Sequence, residues 1–484
     1  MVLKHSLTLL SVIITLNLTA QTELIVPIQP DFYENMEATN FIFSKPTTIW
    51  SHYIDVELDD LNTTDVFNLR FHNEDYNVSF DRKEIRSANN YSWFGTNTDG
   101  DGSIIITVLN GDEQAILTKG SEIYRILTTA KGYQAIVHID QSQYPPEACF
   151  TDGHLIPGVQ KNTPNQGHQK QTNHIQQALA SGCTINGLVL YTPAAEAAMK
   201  GTGDPMLTDV KNAIQLAVDR TNLAFRLSEI TNYNPIELVM ISQLNFIEGG
   251  SAGVDIVRFK DSTFVQNLRN QYNADFCILI TDDVYGNCGI AYVGASNNFA
   301  YGMVPYDCMI ENLSFAHEFG HLFGADHDVD SSPLTTAGYA HGYIDTVGRW
   351  RTILGYPTPC TLNGFNCTRF AYYSNPDVNY IDGRPMGTAA RENNARECRE
   401  NYDNLAQFQQ PVNTFLLTNT TYNNNNLYTT ILAKQSITSS GSVIVQDSST
   451  LILKAGQRIR LNNGFSTKSK ANGHYGIETI EDCP

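Results

Sequence analysis

Apolar positions follow a different pattern in each part of the chain. Residues 7–18 make one short, nearly unbroken apolar run from Leu7 to Leu18, behind a basic start at Lys4 and His5 and ahead of Thr19 and Ala20. That order predicts a secretory signal peptide over 1–20, since the run is too short to span a bilayer comfortably and no basic flank follows it. From 21 to 158, alternating or apolar runs at Val66–Phe71, 104–109 and 133–139, separated by turn clusters, predict a β-rich unit. One cluster, Asn97-Thr98-Asp99-Gly100-Asp101-Gly102, starts like a calcium loop, but Val108 stands where the bidentate Glu belongs. It is read as a hairpin turn.

Residues 159–177 are Gln, Asn, Lys, His and Pro with scarcely an apolar side chain, which predicts an exposed linker. Lys161 and Lys170 are nicking points within it, and His168 and His174 are read as solvated. Strand Ile185–Tyr191 then leads to a helical period over 209–230 through Val210, Ile214, Ala217, Ala224 and Leu227. Apolar strands at 236–244 and 275–281 complete the alternation expected of an α/β layer structure. A helix over 390–409, apolar at Ala395, Cys398, Tyr402, Leu405 and Phe408, closes this unit. The Asn- and Thr-rich stretch 413–426 reads as a second linker. Past it, Val443, Val445, Leu451, Leu453, Ile459 and Leu461 alternate with polar residues and glycines, predicting a small β unit, a short stack of turns. The predicted division is 1–20 signal, 21–178 β-rich propeptide and linker, 179–412 catalytic unit, and 413–484 linker and C-terminal β unit.

Composition narrows the function. Across 484 residues, 31 Lys and Arg face 50 Asp and Glu, a net charge of −19. Such an acidic excess repels phosphate backbones and anionic lipid, so nucleic acid and membrane surface are poor partners. A hydrophobic fraction of 42% with 17% charged residues suits folded cores. An exported chain is secreted or extracellular, where its nine cysteines can pair.

The chemistry concentrates between Ser314 and Asp328. His317 and His321 are four apart, so on a helix both imidazoles share one face and can hold one metal ion. Glu318 can reach water on that metal without occupying it, and Gly324 lets the chain turn back so that His327 supplies a third nitrogen. Three neutral imidazoles with an open position describe a catalytic zinc site, one ion per catalytic unit. The flanking Leu313, Phe315, Ala316, Phe319, Leu322 and Phe323 predict a largely buried helix rather than a surface helix that happens to carry histidines.

The stretch 317–328, HEFGHLFGADHD, resembles the signature of the metzincin zinc endopeptidases, and Asp328 directly after the third histidine is similar to their adamalysin (reprolysin) branch. The likeness extends over much of 183–410. It includes 288–294, where the family has the strand that aligns a substrate peptide, and 341–343, 351–356 and 373–377, which resemble bacterial members. The resemblance implies an α/β (α+β) catalytic domain with a mixed twisted sheet and a long active-site helix, acting on protein or peptide substrates. It places a methionine turn beneath the metal; Leu354 stands at the matching position, unless another residue forms that floor.

Tyr356, two residues on, either meets the metal or oxyanion, as in some metzincins, or is a packed aromatic, the favoured reading. Asp328 either orients a neighbouring group or caps the following segment. The position of the β-rich unit suggests a prodomain. Cys149 beside the linker is a thiol switch, a partner of Cys183 or another cysteine, or a free thiol; setting it aside leaves eight cysteines for four disulfides, with Cys360–Cys367 the first expected. The reading is a secreted zinc endopeptidase made as a zymogen. The alternative is a non-catalytic adhesion or binding protein, which has no need of Glu318.

Overall fold

The computed structural model describes residues 22–27, 45–56, 66–71, 74–87, 90–109, 111–128, 134–145, 183–200, 210–332, 337–423, 428–446, 449–468 and 472–477. The expected signal peptide, the linker with Lys161, Lys170, His168 and His174, and Cys149 lie outside the described residues.

Among the described residues nine strands come first: β1 (Thr22–Pro27), β2 (Thr48–Val56), β3 (Val66–Phe71), β4 (Glu74–Ser87), β5 (Asn90–Asn97), β6 (Ser103–Leu109), β7 (Asp112–Lys119), β8 (Glu122–Thr128) and β9 (Gln134–Ile139). They close into a barrel in the order β1-β2-β9-β8-β7-β6-β5-β4-β3, antiparallel except where β1 meets β3. Residues 97–102 form the β5–β6 hairpin turn, with Gly100 at φ 77°, as the sequence predicts. Runs such as Ile104-Ile105-Ile106 are apolar throughout because both of their faces are buried: Ile104 and Ile106 fill the barrel, while Ile105 packs outward into a second core.

The α/β unit starts with β10 (Ile185–Tyr191), α1 (Pro193–Lys200), α2 (Val210–Leu227), β11 (Ile236–Gln243), α3 (Ala252–Asp261), α4 (Thr263–Gln271) and β12 (Phe276–Thr281). It continues with β13 (Ile290–Ala291), β14 (Tyr301–Pro305) and α5 (Ser314–Leu322). The sheet is mixed: β11, β10, β12 and β14 run parallel, and β13 lies antiparallel on β14. Every residue of β10 and β12 is buried, as expected of parallel strands covered on two sides. One face packs on α2, α5 and the outer side of the barrel, the other on α3, α4 and the C-terminal strands.

Below α5 come the short pairs β15 (Ile344–Asp345), β16 (Trp350–Arg351) and β17 (Thr368–Arg369), with α6 (Thr358–Leu362) between the last two. Then follow β18 (Asn375–Asn379), β19 (Pro385–Met386) and the closing helix α7 (Asn394–Leu405), capped by Asn393.

The structure corrects three expectations. The stretch read as a second linker is strand β20 (Val412–Tyr422), parallel to β21 (Tyr428–Val445). It leads into a parallel stack with β22 (Thr450–Ala455), β23 (Arg458–Arg460), β24 (Phe465–Thr467) and β25 (Asn472–Ile477). Val412, Ala433, Ala455 and Ile477 lie in register on successive strands, so each turn takes about 22 residues. In β20 only Leu417 and Tyr422 are buried and the Asn and Thr side chains largely face out, which makes a strand look like a linker.

The active-site helix is also short, with nine residues in α5. Left-handed backbone bounds it, at Leu313 (φ 59°) and at Gly324 (φ 98°), and such residues cannot continue a right-handed helix.

Cysteine pairing departs from four disulfides. Cys360–Cys367 is present as expected, Cys288–Cys308 joins the segment before β13 to the loop after β14, and Cys183 is disulfide-bonded. Cys277 and Cys398 are free and buried, acting as small hydrophobes in strand and helix, and burial pushes the Cys277 thiol up to about 12.

Candidate metal centre

Helix α5 is buried along its whole length, so polar side chains on it must meet partners. His317 and His321 project from adjacent turns. Gly324 reverses the chain, its N–H reaching His321 O at 2.9 Å, and returns His327 to the same point. The three Nε2 atoms converge: His317 to His321 is 3.1 Å, His321 to His327 3.1 Å and His317 to His327 3.2 Å. Ligand nitrogens around 2.0–2.1 Å from a tetrahedral zinc lie about 3.3 Å apart, so the spacing fits that ion. Lone pairs aimed at one another this closely repel unless a cation lies between them.

Orientation is set from behind. His317 Nδ1 lies 3.0 Å from Ile353 O and His321 Nδ1 2.8 Å from Ala325 O. A carbonyl only accepts, so both Nδ1 atoms carry the proton and both Nε2 atoms present lone pairs. Burial, then the charges of His321, Arg369 and Arg351, holds the His317 imidazole well below its usual range, keeping it neutral and available as a ligand. His327 is held through its backbone: its N–H donates to Asp326 Oδ1 at 2.8 Å and its carbonyl accepts from His341 Nδ1 at 2.8 Å.

Under the imidazoles, Thr352 to Gly355 makes a tight turn, with Gly355 N–H on Thr352 O at 3.0 Å. Leu354 is fully buried in it and packs under Gly320, where a Cβ would stand 3.2 Å from Leu354 Cδ1 and 2.7 Å from the Tyr373 ring. Leu354 therefore provides the apolar floor expected at the methionine-turn position, while Met386 is buried in β19, away from that turn. Asp328 does what the capping alternative says and more: Oδ1 accepts from Ser331 N–H at 3.1 Å, and Oδ2 from Tyr356 N–H at 2.9 Å.

That second bond anchors the segment carrying Tyr356, whose hydroxyl lies 3.1 Å from His327 Nε2. The Tyr356 ring packs on that of His327, at 4.3 Å between centroids, as the favoured reading has it, but its hydroxyl faces the imidazole triad. Its distance in sequence from the histidines hid this; only the fold of 328–356 brings it back. Glu318 is buried beside His317 on α5. Gly289, in the segment entering β13, runs against it: a Cβ there would stand 2.7 Å from Glu318 Cδ. Sequence analysis took 288–294 only as a whole and gave Gly289 no role of its own; its signal was a glycine in an otherwise apolar stretch.

Among the described residues, the three histidines are the one group of metal-type side chains close enough to share an ion. No described helix is long and apolar enough to cross a membrane.

Comparison with known proteins agrees with this geometry. Residues 211–328 match the metallopeptidase family M12B, reprolysin-like. A peptidyl-Asp metalloendopeptidase of Xanthomonas campestris pv. campestris is 30% identical over 312 residues, covering 63% of this chain and 69% of its own. One from Stenotrophomonas maltophilia is 30% identical over 326 residues, covering 64% and 72%. The crystal structure of metalloproteinase-II from Bacteroides fragilis aligns at a TM-score of 0.36 and 14% identity over 55% of this chain and 83% of its own, too distant to bear on the fold. With the imidazole triad inside the matched residues 211–328, the chain belongs to the reprolysin-like zinc metalloendopeptidases.

Proposed function

We propose that His317, His321 and His327 hold one zinc ion and that Glu318 is the general base of peptide-bond hydrolysis. Zinc in such a site polarises a carbonyl and lowers the pKa of the attacking water. Glu318 takes that water's proton and passes it to the departing amine. Tyr356, with its hydroxyl 3.1 Å from His327 Nε2, donates to the oxygen on which negative charge develops. The observation that carries this reading is the convergence of three Nε2 atoms within 3.2 Å beside a buried glutamate.

The substrate is read as a peptide with an acidic residue beside the scissile bond. The relatives' name, peptidyl-Asp metalloendopeptidase, supports this. The chain is further read as an exported zymogen, with a signal over 1–20, a propeptide over 21–178, a catalytic domain over 179–412 and a C-terminal part over 413–484. Support comes from the paired cysteines and from the barrel ending at Ile139 before the next sheet begins at Ile185.

The test is zinc content and peptide hydrolysis for the wild type and Glu318→Ala. The wild type should carry one zinc, lose activity to a chelator and prefer Asp-containing peptides. Glu318→Ala should keep its zinc and lose activity about 10²- to 10⁴-fold. Equal activity in the two proteins would refute the general-base role. N-terminal sequencing of the active species should find a start between about residues 160 and 183.

A further inference from the structure

Helix α2 has no side in water. Of its 18 residues, 16 are buried, among them Lys211, Asn212, Gln215, Asp219 and Arg220. A helix on the finished surface of a domain keeps a polar face in solvent. Here the barrel covers that face and meets two of its polar groups, Asp219 and Asn212, while Gln215 donates to Asp219 within the helix and Arg220 to Ile310 O. The Asp219 carboxylate accepts from the Ser92 hydroxyl and from Thr107 Oγ1 at 2.7 Å, with Arg86 Nη1 at 3.6 Å. Asn212 Nδ2 donates to Asp112 O at 2.7 Å. Between these contacts, Phe94, Ile105, Leu109, Ile116 and Val137 of the barrel share one continuous core with Ile214, Ala217 and Val218 of α2.

A second anchor grips the chain just before the metal helix. Arg125 Nε lies 3.0 Å from Glu311 Oε1, with side-chain exposures of 3% and 12%. Gln141 Nε2 donates to Glu311 O at 2.8 Å, and its Oε1 accepts from Arg369 N–H at 2.8 Å. A third contact, Asn90 Nδ2 to Thr450 Oγ1 at 3.0 Å, reaches the C-terminal stack.

We propose that the barrel is not shed when the connecting segment is cut. It remains docked on α2 and on Glu311 as a permanent, non-covalent half of the enzyme. The surface left by its departure would present a broad apolar strip, and burying that strip favours the docked state while the matched polar pairs fix its register. Because Glu311 lies three residues before α5, the same contact holds the entry of the metal helix, so losing the barrel costs activity as well as solubility. The inference rests on the zymogen reading only for the existence of a natural cut.

The test uses the full chain with a site-specific protease sequence inserted between residues 160 and 176. It also carries Cys183→Ser, because Cys183 is disulfide-bonded and could tether the pieces covalently. After cutting, native size exclusion and native mass spectrometry should find both fragments in one 1:1 species that parts only in denaturant. The separated catalytic fragment should precipitate or lose most of its activity. Adding Asp219→Leu should make the cut pieces separate in native buffer.

Fragments that part without denaturant, leaving a monomeric and fully active catalytic piece, would overturn the proposal. Should Cys183→Ser fail to fold, the inserted site in the wild-type background, cut and then run with and without reductant, gives the same two outcomes. Absence of a natural cut in the secreted protein would sink the zymogen reading alone.

Discussion

Tyr356 is the residue at which the site most departs from its local sequence. Its ring lies tilted at 4.3 Å from the His327 ring and its hydroxyl meets Nε2, yet the positions are 29 residues apart. If it stabilises the charge that develops on the scissile oxygen, Tyr356→Phe should lower kcat by about 10²-fold with little change in KM and unaltered zinc content. A normal kcat would return Tyr356 to the role of a packed aromatic. The histidines, by contrast, were legible because an i, i+4 pair and a glycine three residues later fix their own geometry with little help from the rest of the chain. Leu354 was legible only through its place in a pattern, and the fold gave it a physical role beneath Gly320.

At the scale of elements, close approach and buried charge govern what can change. The segment entering β13 passes so near α5 that Gly289 has no room for a methyl group beside Glu318. Gly289→Ala should therefore cut activity at least tenfold while zinc content and thermal stability stay near wild type; full activity would show that the carboxylate can move aside freely.

Asp275 sits before β12 and joins two elements, accepting from Asn186 N–H at 2.8 Å and from Gln409 N–H at 2.9 Å. Burial pushes its carboxyl up to about 7. In the unfolded chain it titrates near 4. Between those values the folded form holds a proton that the unfolded form lacks, so stability falls as pH rises through the window and levels off above it. The slope is no more than about 1.4 kcal/mol per pH unit. Asp275→Asn should flatten this part of a urea-midpoint profile between pH 4 and 7, whereas parallel profiles for the two proteins would refute the assignment.

For the whole molecule, the C-terminal stack is continuous with the α/β sheet. β21 pairs antiparallel with β11, Met240 opposite Thr429 and Ile241 opposite Tyr428, and Ile431, Val443 and Leu453 share a core with Leu188 and Met240. A chain ended at residue 411 would expose the β11 edge and strip that core of its C-terminal residues, so it should be largely insoluble or melt well below the full chain. A soluble, active truncation with an unchanged Tm would refute this structural role.

The sequence by itself determined the pieces whose information is local: the strand and helix rhythm from 185 to 281, the hairpin at 97–102, and the metal motif at 317–327. Each of these rests on spacing or turn chemistry within a few residues. Only the tertiary structure decided that β20 is a strand, that Cys277 and Cys398 stay unpaired, that Tyr356 faces His327, and that the barrel covers α2. Those features depend on partners distant in the chain, and a residue's own neighbours do not record what packs against it from afar.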